Sequence, residues 1–271
     1  MIWIDGVLSA NDLLPASDRG FLVGDGVFET ILLINGRVIF EDEHRSRMRR
    51  GMDVLGMNGA TPDFQTIALA LGAGKFARAM LRCSVTRTGG RGLAPPPGSR
   101  LSIVASIGET PEDQGAPLTL AQSGRVRASR ASTTTFKCIG AYAENILARM
   151  DALSVGADEA LMKNERGVVV CASAANIYSI VDGRVLTPPV AEGAMPGCAR
   201  AQVARICARL GIAFIEAIFG EAELAAPMFL SNSLVGVRRC VSGGEAQPSP
   251  VFDRIKASYD EEVARQGSIG S

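Results

Sequence analysis

The sequence predicts a mixed α/β protein of two domains, and three observations support this prediction. The 271 residues are 47% hydrophobic and 21% charged, an ordinary globular composition in a chain long enough for two modest cores. Stretches with strand alternation are interleaved with stretches of helical period. A polar, proline-bounded stretch at residues 109–117 is typical of a linker, which places the domains at residues 1–112 and 113–271.

In the first half, the elements follow from local patterns. Asn35-Gly36 predicts a hairpin turn, because both residue types accept a positive φ. Residues 88–98 are rich in glycine and proline and predict an irregular loop. Strands are predicted at residues 1–6, 27–34, 37–40, 80–87 and 101–107, and helices at 41–57 and 63–80.

The second half begins with strands and then alternates between the two kinds of element. Its predicted strands are residues 159–163, 167–180, 184–187, 213–218 and 227–240. Its predicted helices are an amphipathic one at 139–155, one that begins near Pro196 and ends near Leu210, a short one after 218, and a final one.

Composition and charge exclude several classes of protein. Lysine plus arginine and aspartate plus glutamate number 28 each, so the basic excess typical of nucleic-acid binding is absent. No run of about 18 apolar residues predicts a membrane span, and the N-terminus lacks the pattern of a signal peptide. The six cysteines show no Cys-x-x-Cys spacing and His44 is the only histidine, so we expect reduced thiols, a cytoplasmic protein and no metal site.

Lys137 is the strongest candidate for a catalytic residue, although its position alone is also typical of a surface lysine. It is predicted to end a threonine-rich strand, just before an apolar helix whose first turn carries Tyr142. A lysine amine condenses with aldehydes, and partial burial lowers its pKa so that the neutral amine is present. The position therefore suits covalent cofactor chemistry only if neighbouring motifs support it.

Such motifs occur in order along nearly the whole chain. They are Asp18-Arg19-Gly20 with residues 24–30, residues 44–48, residues 86–92, Lys137 with Tyr142, residues 156–161, residues 175–178, residues 187–189 with 195–200, and residues 231–234. Each motif alone is weak evidence for a family. In this order and spacing, however, the series resembles the fold-type IV pyridoxal 5′-phosphate (PLP) enzymes. These include branched-chain and D-amino-acid aminotransferases and aminodeoxychorismate lyase. The resemblance implies a two-domain fold like that of D-amino-acid aminotransferase, an active site between the domains, and a homodimer.

The resemblance also implies the cofactor residues. Lys137 matches the lysine that carries PLP covalently, and Tyr142 matches the tyrosine that hydrogen-bonds its phenolic oxygen. The phosphate is implied to lie where Gly197, Cys198 and Ala199 open a helix, because backbone N–H groups and the positive end of the helix dipole face an anion there. The other implied cofactor residues are Arg47, which matches an arginine that clamps the phosphate, Ser233 as a hydroxyl donor, and Asn176.

One position departs from the family pattern. The resemblance predicts a glutamate five residues before Asn176, paired with the pyridine nitrogen of PLP, and this chain has Cys171 there. A carboxylate keeps that nitrogen protonated and the cofactor strongly electron-withdrawing. A neutral thiol cannot supply that charge. The substitution is compatible with a slower enzyme, with a lyase, or with a family member that has lost PLP and serves a non-enzymatic role.

The loop that follows residue 86 indicates the substrate. The D-amino-acid aminotransferases place a histidine two residues after the arginine that matches Arg91, and this chain has Leu93 there, which argues against that activity. The loop and the short chain look most like aminodeoxychorismate lyase of folate biosynthesis, which forms 4-aminobenzoate and pyruvate. An aminotransferase acting on branched-chain or other amino acids is the alternative. The implied substrate residues are Glu29, Thr30, Arg87 and Arg91.

Overall fold

The computed structural model describes residues 1–11, 13–110 and 115–268, which group into two compact units. The first unit comprises Met1–Glu112, Phe136–Tyr142 and Val263–Ser271, and the second comprises Asp113–Thr135 and Ala143–Glu262. Part of the predicted linker, residues 111–114, lies outside the described residues. No helix in the described part of the chain is both long enough and apolar enough to span a bilayer.

The first unit is built on an antiparallel sheet. Its described strands are β1 (Ile2–Ile4), β2 (Val7–Ser9), β3 (Gly26–Ile34), β4 (Arg37–Val38), β5 (Arg78–Arg87) and β6 (Leu101–Glu109), in the order β2-β1-β6-β5-β3-β4. Its described helices are α1 (Arg19–Val23), α2 (Glu41–Val54) and α3 (Phe64–Ala70). Buried side chains of α2 and α3 pack with those of β3 and β5 in one hydrophobic core.

Two local predictions in this unit have different outcomes. Asn35 and Gly36 have φ values of 49° and 78°, so the predicted hairpin turn between β3 and β4 is confirmed. The helix predicted over residues 63–80 is too long, because α3 ends at Ala70 and Gly72 has a φ of 81°. That left-handed residue stops the helix, and β5 begins six residues later at Arg78.

The segment that carries Lys137 belongs to the first unit, whereas the sequence placed this lysine in the second domain. Phe136 is 1% exposed and lies in the core of the first unit, where an added Cβ on Gly51 of α2 would come within 2.5 Å of its ring. Cys138 forms an isolated antiparallel bridge with Val27. The glycine therefore allows the close approach that attaches this segment to the first unit.

The second unit contains the remaining described strands in one mixed sheet. They are β7 (Leu118–Arg127), β8 (Glu159–Asn164), β9 (Val169–Ala172), β10 (Asn176–Val181), β11 (Arg184–Thr187), β12 (Phe214–Glu216), β13 (Met228–Asn232) and β14 (Gly236–Val241), in the order β12-β11-β10-β13-β14-β7-β8-β9. The remaining described helices are α4 (Ala143–Ser154), α5 (Cys198–Arg209), α6 (Glu221–Ala225) and α7 (Pro250–Ser268), whose last turns are grouped with the first unit.

Three predictions of elements near the candidate site are corrected by the structure. The strands predicted over residues 167–180 and 227–240 are each two strands separated by a tight turn. The segment before Lys137 is a 3₁₀ turn, Ser132–Thr135, and not a strand. A second 3₁₀ turn, Ile139–Ala141, precedes α4, so the predicted helix over 139–155 begins at Ala143.

Candidate active site

In the first unit, Lys137 and Tyr142 lie beside Phe28 of β3. The backbone N–H of Phe28 donates to the carbonyl of Lys137 at 3.0 Å. The Lys137 Nζ is 5.2 Å from the centroid of the Phe28 ring, and the Tyr142 ring packs against Phe28 edge-to-face at 4.9 Å. Lys137 is half-buried. The strand therefore holds the lysine amine and the tyrosine ring on one aromatic platform.

Arg82 of β5 belongs to the same group, and the sequence did not single it out. Its guanidinium carbon stacks 3.4 Å from the centroid of the Phe28 ring, and its Nη1 donates to the hydroxyl of Thr30 at 3.3 Å. Burial lowers the pKa of Arg82, while Tyr142 and Glu29 act in the opposite direction. Pairing of Thr30 with Arg82 between β3 and β5 puts both side chains on one face of the sheet. Strand alternation was the signal that could have identified Arg82.

Glu29 lies on the opposite face of β3 and is fully buried. Its carboxylate accepts from Arg47 Nε at 2.8 Å and from Arg47 Nη2 at 2.5 Å, and His44 Nδ1 lies 2.7 Å from Oε2. Burial alone would raise the pKa of Glu29, but Arg47 and then His44 lower it from 4.5 to about 2. This geometry favours a role for Glu29 in orienting Arg47. A direct contact between Glu29 and the substrate stays a prediction.

Arg87, at the end of β5, is also held inside the first unit. Its Nη1 donates to Asp25 at 2.7 Å, its Nη2 donates to the carbonyl of Leu55, and the residue is 7% exposed. Arg91 lies on the exposed loop beyond the strand. Because Arg87 is buried and its donors already bind Asp25 and a backbone carbonyl, the geometry favours a structural role for Arg87 and leaves Arg91 as the stronger candidate for a substrate carboxylate.

In the second unit, Asn176 and Gly197 shape the start of α5. The Asn176 Nδ2 donates to the carbonyl of Met195 at 2.8 Å, and Gly197 is the N-cap residue, without a side-chain cap. Cys198 and Ala199, the first two residues of the helix, are buried. The first N–H groups of an α-helix have no acceptor within the helix, so this turn presents donors suited to an anion.

Gly197→Ala is expected to destabilise the protein by about 1–3 kcal/mol, because an added Cβ would overlap the Oδ1 of Asn176. The φ of Gly197 is −70°, so the effect comes from the collision and not from backbone strain. Gly124→Ala in β7 is the matched control, since a Cβ there meets nothing within 4 Å. Urea unfolding followed by circular dichroism measures both variants. Equal midpoints for the two would contradict the predicted collision.

Ser233 lies in the turn between β13 and β14. Asn232 forms this turn, because its Oδ1 accepts from the backbone N–H groups of Leu234 and Val235 at 3.0 and 2.8 Å. Ser231, two residues earlier, is buried and hydrogen-bonded to the hydroxyl of Tyr178 at 2.7 Å. Ser231 is thus engaged within the sheet, while Ser233 stays half-exposed in the turn.

Cys171 of β9 is 5% exposed and pairs with Met162 of β8. Burial raises the pKa of its thiol, Arg127 opposes that shift, and Glu159 adds to it. The carboxylate of Glu159 is hydrogen-bonded to the hydroxyl of Ser173 at 2.6 Å and paired with Arg149. Cys171 is therefore a neutral thiol at ordinary pH.

Within each unit, the structure brings several of the predicted residues together. In the first unit these are Lys137 with Tyr142 and Thr30, and Glu29 with Arg47; in the second they are Asn176 with the Gly197 turn, Ser233, and Cys171. The α5 turn fits the phosphate of the cofactor that the resemblance implies, because the first N–H groups of the helix have no acceptor within it and no side chain caps them.

Comparison with known proteins gives concordant matches. Residues 26–242 match the family model described as "Amino-transferase class IV". The branched-chain-amino-acid aminotransferase of Salmonella typhimurium is 27% identical over 184 residues, 63% of this chain, and the match spans only 59% of that relative's length.

Two solved structures have a similar fold. One is the branched-chain aminotransferase from the archaeon Thermoproteus uzoniensis with norvaline, at 23% identity and a TM-score of 0.89, covering 98% of this chain and 95% of that chain. The other is the 4-amino-4-deoxychorismate lyase from Pseudomonas aeruginosa, at 24% identity and a TM-score of 0.83, covering 96% of this chain and 98% of that chain.

Proposed function

Because the chain belongs to the class IV aminotransferase family, we propose that it is a PLP-dependent lyase that converts 4-amino-4-deoxychorismate into 4-aminobenzoate and pyruvate. The family is enzymatic and PLP-dependent. The expected two-sheet α/β fold is confirmed. We propose the lyase activity, its place in folate biosynthesis and the roles of the individual residues.

The roles of the chain's own residues follow from their positions. Lys137 carries the cofactor and moves the proton at the amino-bearing carbon of the substrate, with Phe28 and Tyr142 holding it in place. The first turn of α5 and the Ser233 hydroxyl bind the phosphate group. Glu29 orients Arg47 toward the same group.

PLP held at this site would withdraw electrons from the amino-bearing carbon of the substrate and make its proton more acidic. After Lys137 removes that proton, the carbon–oxygen bond to the enolpyruvyl group breaks and the ring becomes aromatic. The electron pair of that bond leaves with enolpyruvate, which takes up a proton to become pyruvate. Arg91 binds a substrate carboxylate, and Thr30 positions the ring.

The observation that carries the lyase proposal is the buried, neutral thiol of Cys171. Transamination moves the proton from the substrate carbon onto the cofactor, a step that depends on strong electron withdrawal by a protonated pyridine ring. The lyase reaction instead expels a leaving group and gains the stability of an aromatic product. A site without a carboxylate at this position therefore suits the lyase better.

A class IV aminotransferase is the second candidate, since the Salmonella typhimurium relative is named a branched-chain-amino-acid aminotransferase. The decisive experiment incubates the PLP-loaded protein with 4-amino-4-deoxychorismate and measures pyruvate and 4-aminobenzoate. In parallel, amino transfer from L- and D-amino acids to 2-oxoglutarate is assayed. Equimolar pyruvate and 4-aminobenzoate support the lyase, whereas amino transfer without pyruvate release contradicts it.

Cys171→Ala is expected to change the rate of pyruvate release by less than about tenfold, or about 1.4 kcal/mol. The thiol and the methyl group are both uncharged, so neither alters the charge near the cofactor. The measurement is kcat between pH 6 and 9 for both forms. A wild-type titration that disappears in Cys171→Ala, together with a large loss of rate, would show that a thiolate takes part.

A cytoplasmic homodimer also belongs to the proposal, as the family resemblance implies. Sedimentation velocity of the PLP-loaded protein at micromolar concentration tests the oligomeric state. A species of twice the chain mass of 28.4 kDa is expected. A single monomeric species would contradict the homodimer without affecting the cofactor assignment.

A further inference from the structure

Arg19 is a fully buried arginine of the first unit that the reaction described above does not use. It opens α1, and only 1% of it is exposed. Its Nε donates to Asp25 at 2.7 Å, and this carboxylate is shared with Arg87. Arginine is almost never buried to this extent unless its donors are satisfied, which makes the remaining contacts informative.

Those remaining contacts go to the loop that carries Arg91. Arg19 Nη1 donates to the carbonyl of Gly92 at 2.7 Å, and Nη2 donates to the carbonyl of Leu93 at 2.9 Å. The Leu93 side chain is 89% exposed, so the loop is held here through its backbone and not by burial of that side chain. Two hydrogen bonds from one planar guanidinium to consecutive carbonyls determine the backbone direction immediately after Arg91.

The base of the loop is anchored to the same segment. The Thr86 hydroxyl donates to Asp18 at 2.6 Å, and Asp18, which caps α1, forms a β-bridge with Thr88. Asp25 binds Arg87 as well as Arg19, which joins the end of β5 to the same carboxylate. The segment around α1 therefore contacts the loop both at its base and beside Arg91.

We propose that Arg19 is a positioning residue for substrate recognition, which holds the loop so that Arg91 binds the substrate carboxylate. This inference rests on the proposed function for the role of Arg91. The contact of Arg19 with the loop is independent of that function, so the two are tested by separate measurements.

The first measurement is limited proteolysis, which requires no substrate. Trypsin cleaves after arginine, and Arg91 is exposed while its neighbour Gly92 is held by Arg19. Arg19→Gln is expected to increase the rate of cleavage at Arg91–Gly92 by about tenfold or more, since the loop must leave its folded conformation to enter the protease. Mass spectrometry quantifies the fragment that ends at Arg91. Arg45→Gln, which removes a partly exposed arginine paired with Glu41, is the control and is expected to leave this rate unchanged.

The second measurement separates KM from kcat for pyruvate release. Arg19→Gln is expected to raise KM about tenfold and change kcat less than about threefold, because the loop binds substrate and does not move the proton. In an Arg91→Gln background, the same substitution is expected to raise KM less than about twofold. This loss of effect would show that Arg19 acts through Arg91.

Arg19→Lys serves as the second variant in case Arg19→Gln does not fold. Lysine keeps a cation beside Asp25 but cannot donate to both carbonyls through a planar fork, so faster cleavage and a raised KM are expected again. Unchanged cleavage in both variants would overturn the contact with the loop. Faster cleavage with an unchanged KM, or an equal effect in the Arg91→Gln background, would overturn the role in recognition. Absence of any lyase or transferase turnover in the wild type would instead count against the proposed function, with the proteolysis result still standing.

Discussion

Substitution of Lys137 by alanine is expected to prevent covalent attachment of PLP and to lower the rate of pyruvate release by about 10³-fold or more. The amine has two proposed tasks, to carry the cofactor and to move the substrate proton, and alanine removes both. The half-buried position of Lys137 beside Phe28 suits an amine that must react and then swing toward a substrate carbon.

The measurement is direct. Purified wild-type protein is mixed with PLP, reduced with borohydride and digested, and the peptide that contains Lys137 is expected to gain the mass of reduced PLP. Lys163→Ala is the matched control, because Lys163 hydrogen-bonds Gln122 at an exposed position in the second unit. A wild-type protein that stays colourless with PLP and shows no labelled Lys137 would contradict the cofactor assignment and favour a PLP-free member of the family.

The fold could be predicted from sequence where the determinants are local. The Asn35-Gly36 turn and the strand before it were found because residue type and alternation act over a few residues. The break between β9 and β10 is hard to predict because only residues 173–175 separate two buried strands, and none of these three residues is glycine or proline.

The position of Lys137 could not be predicted in the same way. Its segment joins the first unit because Phe136 packs on Gly51, a residue more than eighty positions earlier. No pattern within residues 132–142 encodes that contact. The motifs identified the lysine by family resemblance, while its unit is decided by packing between residues distant in sequence.

In the candidate site, too, the sequence identifies residues but not their partners. Family motifs identified Arg47 and Arg87, but which carboxylate each one binds depends on the sheet register. Asp25 lies within the motif of residues 24–30 and has no predicted role of its own, yet it holds Arg19 and Arg87 together. The sequence alone does not show which charged residues become buried as ion pairs. Identifying such pairs therefore requires the structure.

The Glu29 carboxylate gives the second large effect. Glu29→Gln is expected to destabilise the protein by about 3–5 kcal/mol, because it leaves the buried charge of Arg47 without its partner. Glu41→Gln is the matched control, since Glu41 pairs with Arg45 at the surface and the loss of that pair costs about 0.5 kcal/mol or less. Urea unfolding at pH 7 measures both variants, and similar midpoints for the two would contradict the importance of the buried pair.

The same carboxylate predicts how stability depends on pH. The pKa of Glu29 is lowered from 4.5 to about 2 in the folded protein, so the unfolded chain binds the proton first as pH falls. The stabilisation is complete above pH 4.5 and is lost between pH 4.5 and 2; a shift of this size corresponds to about 3 kcal/mol. Glu29→Gln lacks this titration, so the difference in unfolding free energy between wild type and variant is expected to shrink from pH 7 to pH 3. A difference that stays constant over this range would mean that the carboxylate of Glu29 is not held ionised by Arg47 and His44.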